Sequence, residues 1–247
     1  MGSPDVVRLD GVSKRFTVLR DKSVKERLLN VSTSRAHRED FWALRDIDLT
    51  ISAGTTIGLV GHNGSGKSTL LKLIGGILRP TSGSVSRRGR LAALLELGAG
   101  FHPDLTGREN VFLNAALLGL SRRETRAAFD RIVDFSGIGD FIDTAVKFYS
   151  SGMAVRLGFA VAVHVDPDLL LVDEVLAVGD ETFQLKCIAK IREFQREGRT
   201  IIFVSHASQL VSQLCDRVAV LHHGSMIFDG ETATGLRTFH GLAGTAE

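Results

Sequence analysis

One eight-residue segment restricts the possible folds of this chain more than any other. It is residues 61–68, GHNGSGKS, which follow an apolar run at 57–60 and precede a helix-like run at 69–74. Closely spaced glycines let backbone N–H groups converge on an anion, and the N-terminus of the following helix adds positive potential. In this pattern Lys67 reaches the β- and γ-phosphates of a nucleotide, and the Ser68 hydroxyl ligates Mg²⁺. The segment therefore predicts a phosphate-binding loop between a strand and a helix.

The residues of this segment that we expect to bind a nucleotide are contiguous. They are Gly61, His62, Asn63, Gly64, Ser65, Gly66, Lys67, Ser68 and Thr69. Lys67 is also a candidate catalytic residue, because it reaches the γ-phosphate. A glycine-rich turn with a surface lysine is the alternative, and the strand and helix on either side argue against it.

Short β-branched and apolar runs alternate with helix-like segments along the rest of the chain. These runs are 6–9, 47–51, 56–60, 169–172, 200–204 and 218–221. Strands that alternate with helices are typical of an α/β fold with a largely parallel sheet. From 109 to about 165 apolar residues recur at helical spacing, as Val111, Ala115 and Leu118 do, which predicts an inserted helical lobe.

We therefore predict one domain over residues 1–247. Its catalytic core comprises about 1–107 and 166–231, its helical lobe about 108–165, and its tail 232–247, where 232–241 is expected to form a short helix. A charge-rich stretch at 20–40 follows the first strand. Val24, Leu28 and Leu29 lie on one face if this stretch is helical, so we expect either an amphipathic helix with a partner or a surface helix packed on its own domain.

Composition excludes several classes of protein. The formal net charge is +2 and the Lys and Arg residues are spread along the chain, so no basic footprint for nucleic acid is evident. No run approaches the roughly 20 apolar residues that cross a bilayer. The first five residues lack the basic and apolar regions of an export signal, so we expect a protein that is not exported. Cys187 and Cys215 lack metal-like spacing and are expected to be reduced thiols.

A second candidate site element is the apolar run that ends in two carboxylates, Asp173 and Glu174. Asp173 suits Mg²⁺ coordination, directly or through water. Glu174 points to a different side and can orient or deprotonate an attacking water. By itself, a strand followed by two acids is also explained by the solubility of the strand end.

The segment YSSGM at 149–153 narrows the class of nucleotide-binding protein. Ser150 stands 23 positions before Asp173. Here the chain resembles the ABC ATPases, whose signature usually reads Leu-Ser-Gly-Gly-Gln; Ser150 and Gly152 match it and the other three positions differ. The resemblance implies that this segment caps the γ-phosphate bound to the opposite subunit. The residues carried over are Ser150, Ser151, Gly152 and Met153; without the upstream loop, Ser150 would be an ordinary helix N-cap.

The resemblance implies two further site residues in the same order as in the family. Asp180, six residues after Glu174, matches the acid that couples the two sites across the dimer. His206, at the end of the run 200–204, matches the histidine that contacts the γ-phosphate and holds the attack geometry. A solitary histidine would more often be structural.

The roles assigned to two residues each have an alternative interpretation. Phe16 occupies the place of the family's adenine-stacking aromatic, with Trp42 as its rival. Glu96 stands where the family normally has a glutamine that senses Mg²⁺, and we assign it as a metal ligand; a charged strand end is the other interpretation.

The amino-acid sequence of residues 94–110, 149–153 and 176–187 is similar to that of the ATPases of polysaccharide exporters. This resemblance implies a P-loop NTPase with a RecA-like core, an antiparallel β subdomain and a helical subdomain. It also implies ATP and Mg²⁺, a second copy that closes the site, and a pair of membrane-spanning permease subunits that move a lipid-linked glycan such as O-antigen, teichoic acid or galactan. The chain would act at the cytoplasmic face of the inner membrane, with 20–40 and 96–110 near the permease.

Two other functions fit parts of the pattern. A soluble ABC ATPase could act on nucleic acid or ribosomes, but such proteins usually fuse two cassettes or insert a long coiled coil. An unrelated P-loop kinase would need a phosphoacceptor site and has no use for Ser150 or His206.

Overall fold

The computed structural model describes residues 4–20, 37–94, 100–173, 180–205 and 207–243. Glu96, Glu174 and His206 lie outside these ranges. Most of the stretch 20–40, where a helix was expected, also lies outside them, since only residue 20 and residues 37–40 are described. None of the described helices is long and apolar enough to cross a membrane.

The described strands and helices alternate through much of the chain. The strands are β1 (Asp5–Arg20), β2 (His37–Ser52), β3 (Thr56–Val60), β4 (Ser82–Arg87), β5 (Leu91–Leu94), β6 (Leu169–Asp173), β7 (Thr200–Val204), β8 (Arg217–His222) and β9 (Ser225–Glu231). The helices are α1 (Lys67–Ile74), α2 (Gly107–Leu117), α3 (Arg122–Ser136), α4 (Ser151–Val163), α5 (Glu181–Arg196), α6 (Ser208–Leu214) and α7 (Thr232–Ala243). Short 3₁₀ turns lie at Gly139–Phe141 and Val146–Phe148.

The larger sheet has the order β5-β6-β7-β3-β8-β9. All neighbouring pairs are parallel except β8 with β9. The predicted α/β fold with a largely parallel sheet is therefore confirmed. β3 is buried along its whole length and lies between β7 and β8. The loop that follows β3 thus leaves from the middle of the sheet.

A second sheet is antiparallel, with the order β2-β1-β4. β1 and β2 have 16 residues each, and they pair from Asp5 opposite Ser52 to Arg20 opposite His37. The sequence had predicted much shorter strands here, with a polar stretch beginning at residue 20. That prediction was wrong about their lengths, because strand pairing satisfies the backbone whatever the side-chain polarity.

Polar cross-strand pairs stabilise the outer part of this hairpin. Arg15 Nη1 lies 2.9 Å from Asp40 Oδ2, and Thr17 Oγ1 donates to Asp40 Oδ1 at 2.9 Å. Asp40, at the end of the charge-rich stretch, therefore pairs with Arg15 and Thr17 across the two strands.

Side chains of the parallel strands alternate between two cores, as a pleated sheet requires. In β6, Leu169 and Leu171 face the core shared with the antiparallel sheet and α1. Leu170 and Val172 face the core shared with α5, α6 and α7. Burial on both faces explains why these strands are continuous apolar runs in the sequence.

The helical lobe has a third core, built from α2, α3 and α4. Its buried members include Val111, Ile132 and Leu157. α2 and α3 begin with reciprocal capping boxes, in which Thr106 pairs with Glu109 and Ser121 with Glu124. Helices α2 and α3 are therefore capped, and together with α4 they share one core.

Candidate active site

The phosphate loop begins where β3 ends, and two of its glycines allow close backbone contacts. A Cβ on Gly61 would lie 2.3 Å from the carbonyl oxygen of Leu221 in β8. Gly66 has φ 108, and a Cβ there would lie 2.7 Å from the carbonyl oxygen of Ala43 in β2. A side chain at either position would push the loop out of place.

The turn between β8 and β9 supports the loop from below. The N–H of Gly224 donates to the carbonyl oxygen of Ser65 at 3.1 Å, and the N–H of Arg45 donates to the carbonyl oxygen of Gly224 at 2.8 Å. A Cβ on Gly224 would lie 2.9 Å from the oxygen of Ala43. Backbone from three elements therefore meets under the loop, and we call this contact the loop clamp, formed by Ala43, Arg45, Ser65, Gly66 and Gly224.

The N-terminus of α1 is suited to an anion. Its N-cap, Gly66, has no side chain to accept hydrogen bonds, and the first intrahelical bond runs from Leu70 N to Gly66 O at 2.9 Å. By contrast, α2, α3, α4 and α5 each begin with a side chain that accepts a backbone N–H. The first N–H groups of α1 are left to bind a ligand, and phosphate oxygens are the usual partners at such a site.

Lys67 and Ser65 carry the polar side chains on the inner side of the loop. Lys67 is buried, and its Nζ donates to the carbonyl oxygens of Gly61 at 2.7 Å and His62 at 3.1 Å. The Ser65 hydroxyl oxygen is buried and has no hydrogen-bond partner among the described residues. A cation held at the loop and an unpaired hydroxyl beside it fit the oxygens of a phosphate chain.

A cavity of about 360 Å³ opens over the loop, lined by residues 63–69 together with Phe41 and Ala43. Phe41 is 54% exposed. It lies directly opposite Phe16 in the β1–β2 pair, so both rings are on one face of the sheet. Phe16 is half-buried, with Lys14 Nζ 5.2 Å from its ring centroid.

Phe41 is a candidate site residue that the sequence reasoning missed. Neither Phe16 nor its rival Trp42 lines the cavity; Phe16 lies opposite Phe41, whereas Trp42 lies opposite Arg15. Phe41 and Ala43 both line the cavity, although the β1–β2 register is interrupted at Ala43, which has no partner between Trp42 and Leu44. Because a bulge of this kind breaks the simple alternation of side chains, the sequence pattern alone did not point to Phe41.

Asp173 lies at the same edge of the sheet as the loop. It pairs with Val204 of β7, and Val204 pairs with Leu59 of β3. Two strand spacings separate Asp173 from β3, which corresponds to about 10 Å. Carboxyl ends of parallel strands are where α/β proteins bind ligands.

The described residues contain no group of three or more His, Cys, Asp or Glu side chains that could hold a metal. Mg²⁺ in nucleotide sites is usually held by one or two protein oxygens together with phosphate oxygens and water. Ser68 in α1 and Asp173 could supply these one or two protein oxygens. Glu174 follows Asp173 and His206 follows β7 at this edge, but both lie outside the described residues, as does Glu96, and their roles remain sequence predictions.

Ser150 begins the helix of the signature segment. It is the N-cap of α4, and its hydroxyl oxygen accepts the N–H of Met153 at 3.2 Å. Ser150 and Ser151 are exposed, and Gly152 has only Ser150 Oγ, at 3.8 Å, within reach of an added Cβ. The side chains of Ser150 and Ser151 are therefore accessible to solvent, although none of these residues lines the cavity over the phosphate loop.

Tyr149 explains one departure from the usual signature. Its hydroxyl donates to the carbonyl oxygen of Phe141 at 2.8 Å, and it lies against Gly107, where an added Cβ would be 2.1 Å from the hydroxyl oxygen. The ring thus anchors the start of the segment to the helical lobe.

Asp180 is the N-cap of α5 within its own chain. Its Oδ1 accepts the N–H of Phe183 at 2.8 Å, and its Oδ2 lies 3.4 Å from Nη1 of Arg156 in α4. These contacts give Asp180 a structural role in the monomer. The expected contact of Asp180 across a dimer stays a prediction.

A parallel sheet with a phosphate loop after its central strand, together with a separate helical lobe, defines a P-loop ATPase. The sequence matches the family described as "ABC transporter" over residues 44–177, which is more than half of the chain. The chain therefore belongs to the ABC transporter family, as its ATPase component.

Relatives of known name support this assignment over most of the chain. ABC transporter protein AbcA of Aeromonas salmonicida is 49% identical over 240 residues, 97% of this chain and 77% of the relative. O-antigen export system ATP-binding protein RfbB of Myxococcus xanthus is 57% identical over 182 residues, which are 74% of this chain and 42% of that relative. Teichoic acids export ATP-binding protein TagH of Levilactobacillus brevis is 46% identical over 233 residues, 94% of this chain and 64% of the relative.

Solved structures with low sequence identity share the fold. A dimeric ATP-binding cassette in a post-hydrolysis state, bound to ADP and Pi, has a TM-score of 0.73 at 22% identity and covers 92% of this chain and 98% of its own. An ATP-binding subunit of an ABC transporter has a TM-score of 0.76 at 21% identity, with 95% and 93% covered. The predicted cassette fold is confirmed.

Proposed function

We propose that this ABC ATPase is the ATP-hydrolysing subunit of a bacterial exporter of lipid-linked polysaccharide. The observation that carries the proposal is the similarity to proteins named for O-antigen and teichoic acid export, at 57% and 46% identity over 74% and 94% of this chain. Both relatives are named as ATP-binding proteins of an export process, one for O-antigen and the other for teichoic acids.

In this proposal the phosphate loop binds the nucleotide of one half-site. The N–H groups of α1 and Lys67 bind the β- and γ-phosphates, and Phe16 and Phe41 contact the adenine. Ser68 and Asp173 hold Mg²⁺, directly or through water. Bound MgATP supplies the phosphoanhydride bond whose cleavage drives transport.

Three residues outside the described ranges complete the chemistry. Glu174 orients the attacking water and accepts its proton. His206 holds the γ-phosphate in line with that water, and Glu96 contributes a further oxygen near Mg²⁺. Each follows a strand or strand-like run of the sequence at the edge of the sheet that carries the loop.

We also propose that two copies form the complete site. Ser150 and Ser151, at the start of α4, are exposed but do not line the cavity over the loop of their own chain. A second copy would bring Ser150, Ser151, Gly152 and Met153 onto the γ-phosphate, and Asp180 next to the shared boundary. The dimeric ATP-binding cassette bound to ADP and Pi, which shares this fold, supports such an arrangement.

The membrane partner would be a pair of permease subunits at the cytoplasmic face of the inner membrane. α2 begins at Gly107, within the stretch 96–110, and its Leu113 and Leu117 are 37% and 70% exposed one helical turn apart. An apolar stripe of this kind suits a short helix of a partner. We place the permease contact on this stripe and on the stretch 20–40.

Reconstitution with the permease in vesicles tests the proposal. ATP should drive a lipid-linked glycan across the bilayer, whereas the Lys67→Ala variant should give no transport with the same permease. Cross-linking that found α2 and 20–40 remote from the permease would overturn the partner surface alone.

The competing function is a soluble ABC ATPase that acts on nucleic acid or ribosomes. The net charge of +2 and the spread of Lys and Arg give it no support. Copurification with RNA or DNA rather than with a membrane protein would favour it and reject the export proposal.

A further inference from the structure

The C-terminal helix α7 is held firmly against the larger sheet. Thr232 Oγ1 donates to the carbonyl oxygen of Cys215 at 2.8 Å in the protein interior. Gly235 allows a close approach, since a Cβ there would lie 2.9 Å from Val218 Cγ1 and 3.0 Å from Phe228 Cε1. Leu236 is buried in the core beneath. The position of α7 relative to β8 and β9 is thereby fixed.

The same face of α7 reaches the phosphate loop. Phe239 follows Leu236 by three residues, so the two side chains point to one side of the helix. The Phe239 ring packs partly against the core, and its centroid lies 5.1 Å from that of His62, with the planes inclined at 44°. His62 is otherwise exposed. An aromatic contact thus joins the C-terminal helix to the second residue of the loop.

The backbone of His62 organises the part of the loop that binds phosphate. Its carbonyl oxygen accepts the N–H of Ser65 at 3.1 Å and the ammonium of Lys67 at 3.1 Å. These bonds set the turn that precedes α1 and place the cation beside it. A change in the position of His62 would therefore move both the turn and Lys67.

We propose that Phe239 is a positioning residue for the phosphate loop. By holding the His62 ring, it narrows the conformations of residues 61–65 and keeps the backbone N–H groups and Lys67 in place for the phosphates. Through this one side chain α7 affects the nucleotide affinity, although no residue of α7 lines the cavity over the loop. The proposal rests on nucleotide binding by the loop and is independent of what the exporter carries.

The full chain tests this through its Kd for MgADP, measured by titration calorimetry so that no hydrolysis occurs. Phe239→Ala should raise the Kd about three- to tenfold, the range expected for losing one aromatic pair. Phe239→Tyr keeps the ring and should stay within about twofold of the wild type. His62→Ala should raise the Kd similarly, and adding Phe239→Ala to it should have no further effect.

Leu236→Ala is the matched control, because it weakens the packing of the same helix without removing a contact to His62. It should lower the Tm at least as much as Phe239→Ala while leaving the Kd within about twofold of the wild type. Three results would overturn the proposal: an unchanged Kd for Phe239→Ala, an equal rise in Leu236→Ala, or additive effects of Phe239→Ala and His62→Ala. Wild-type binding of MgADP in the same titration separates these outcomes from a failure of the proposed function.

Discussion

Arg156 and Asp180 connect the signature helix to the start of α5 by an ion pair of 3.4 Å between Nη1 and Oδ2. Arg156 also donates from Nε to the carbonyl oxygen of Ser136 at 2.8 Å, at the end of α3. One side chain thus links three helices, namely its own α4, α3 and α5. Two of them, α4 and α5, begin at the segments that the resemblance places on the shared boundary of a dimer.

Replacing Arg156 by Ala should uncouple these segments. We expect the maximal ATPase rate to fall about tenfold, because Ser150 and Asp180 lose their common support. The Kd for nucleotide should stay within about twofold, since the phosphate loop is untouched. Steady-state kinetics and calorimetry measure the two quantities, and Arg122→Ala, an exposed arginine at the start of α3, serves as the control. Equal losses in both variants would contradict the linkage.

Glu174→Gln should retain nucleotide binding and lose turnover. An amide cannot accept the proton of the attacking water, so we expect the ATPase rate to fall by about two orders of magnitude or more. ATP should then accumulate in closed dimers, which size-exclusion chromatography detects as a shift from monomer to dimer. The Lys67→Ala, Glu174→Gln double variant should remain monomeric with ATP. Rapid turnover by the single variant would remove Glu174 as the catalytic carboxylate.

Phe41→Ala should weaken ATP binding through the base rather than through the phosphates. We expect the Kd for ATP to rise about three- to tenfold, the effect of losing one stacking surface of the adenine. The Kd for inorganic triphosphate should not change, which distinguishes adenine contact from damage to the loop. Trp42→Ala is the neighbouring control, and a larger effect there than at Phe41 would reverse the assignment.

Glu231 gives α7 a pH-dependent cap. Its carboxylate accepts the Thr234 hydroxyl at 2.7 Å and the N–H groups of Thr234 and Ala233 at 3.0 and 3.1 Å. These bonds hold the pKa of Glu231 below its ordinary value of 4.5. The unfolded chain then binds more protons at acid pH, so the cap stabilises the fold fully above about pH 4.5 and is lost as the pH falls through the lowered pKa.

Urea unfolding of the wild type and of Glu231→Ala at several pH values tests this cap. The stability difference between them should be constant from neutral pH down to about pH 5 and should shrink below the unfolded pKa of Glu231. A difference that persists undiminished at pH 3 would show that the carboxylate charge is not what caps α7.

The sequence predicted the parallel strands more accurately than the antiparallel ones. The run 200–204 became β7 without a change of boundary, because a strand buried on both faces must be apolar throughout. The hairpin of β1 and β2 faces water along part of its length, and its polar residues pair across strands in a way that only the register reveals. For that reason Phe41 was missed, although the phosphate loop itself was recognised.

For the helical lobe too, the sequence predicted the helices but not the contacts between them. Residue spacing predicted its helices, and the signature Ser150 was recognised from its distance to Asp173, whereas the capping pairs emerged only from the structure. The link between Arg156 and Asp180 was not predicted, because it depends on how α4 and α5 pack. Contacts between elements far apart in sequence are set by the tertiary fold, which local patterns do not encode.

The loop clamp formed by Ala43, Arg45, Ser65, Gly66 and Gly224 has a consequence for how this ATPase can diversify. Its backbone contacts leave no room for an added methyl group at Gly66 or Gly224. Substitution of either glycine by any other residue would therefore disrupt the contacts beneath the loop. The outer side is open: His62 and Asn63 are exposed, and nothing lies within 4 Å of a Cβ at Gly64. Within the loop itself, heritable tuning of nucleotide affinity is therefore expected at exposed positions such as His62 and Asn63, where a side chain can change without disturbing the backbone contacts beneath.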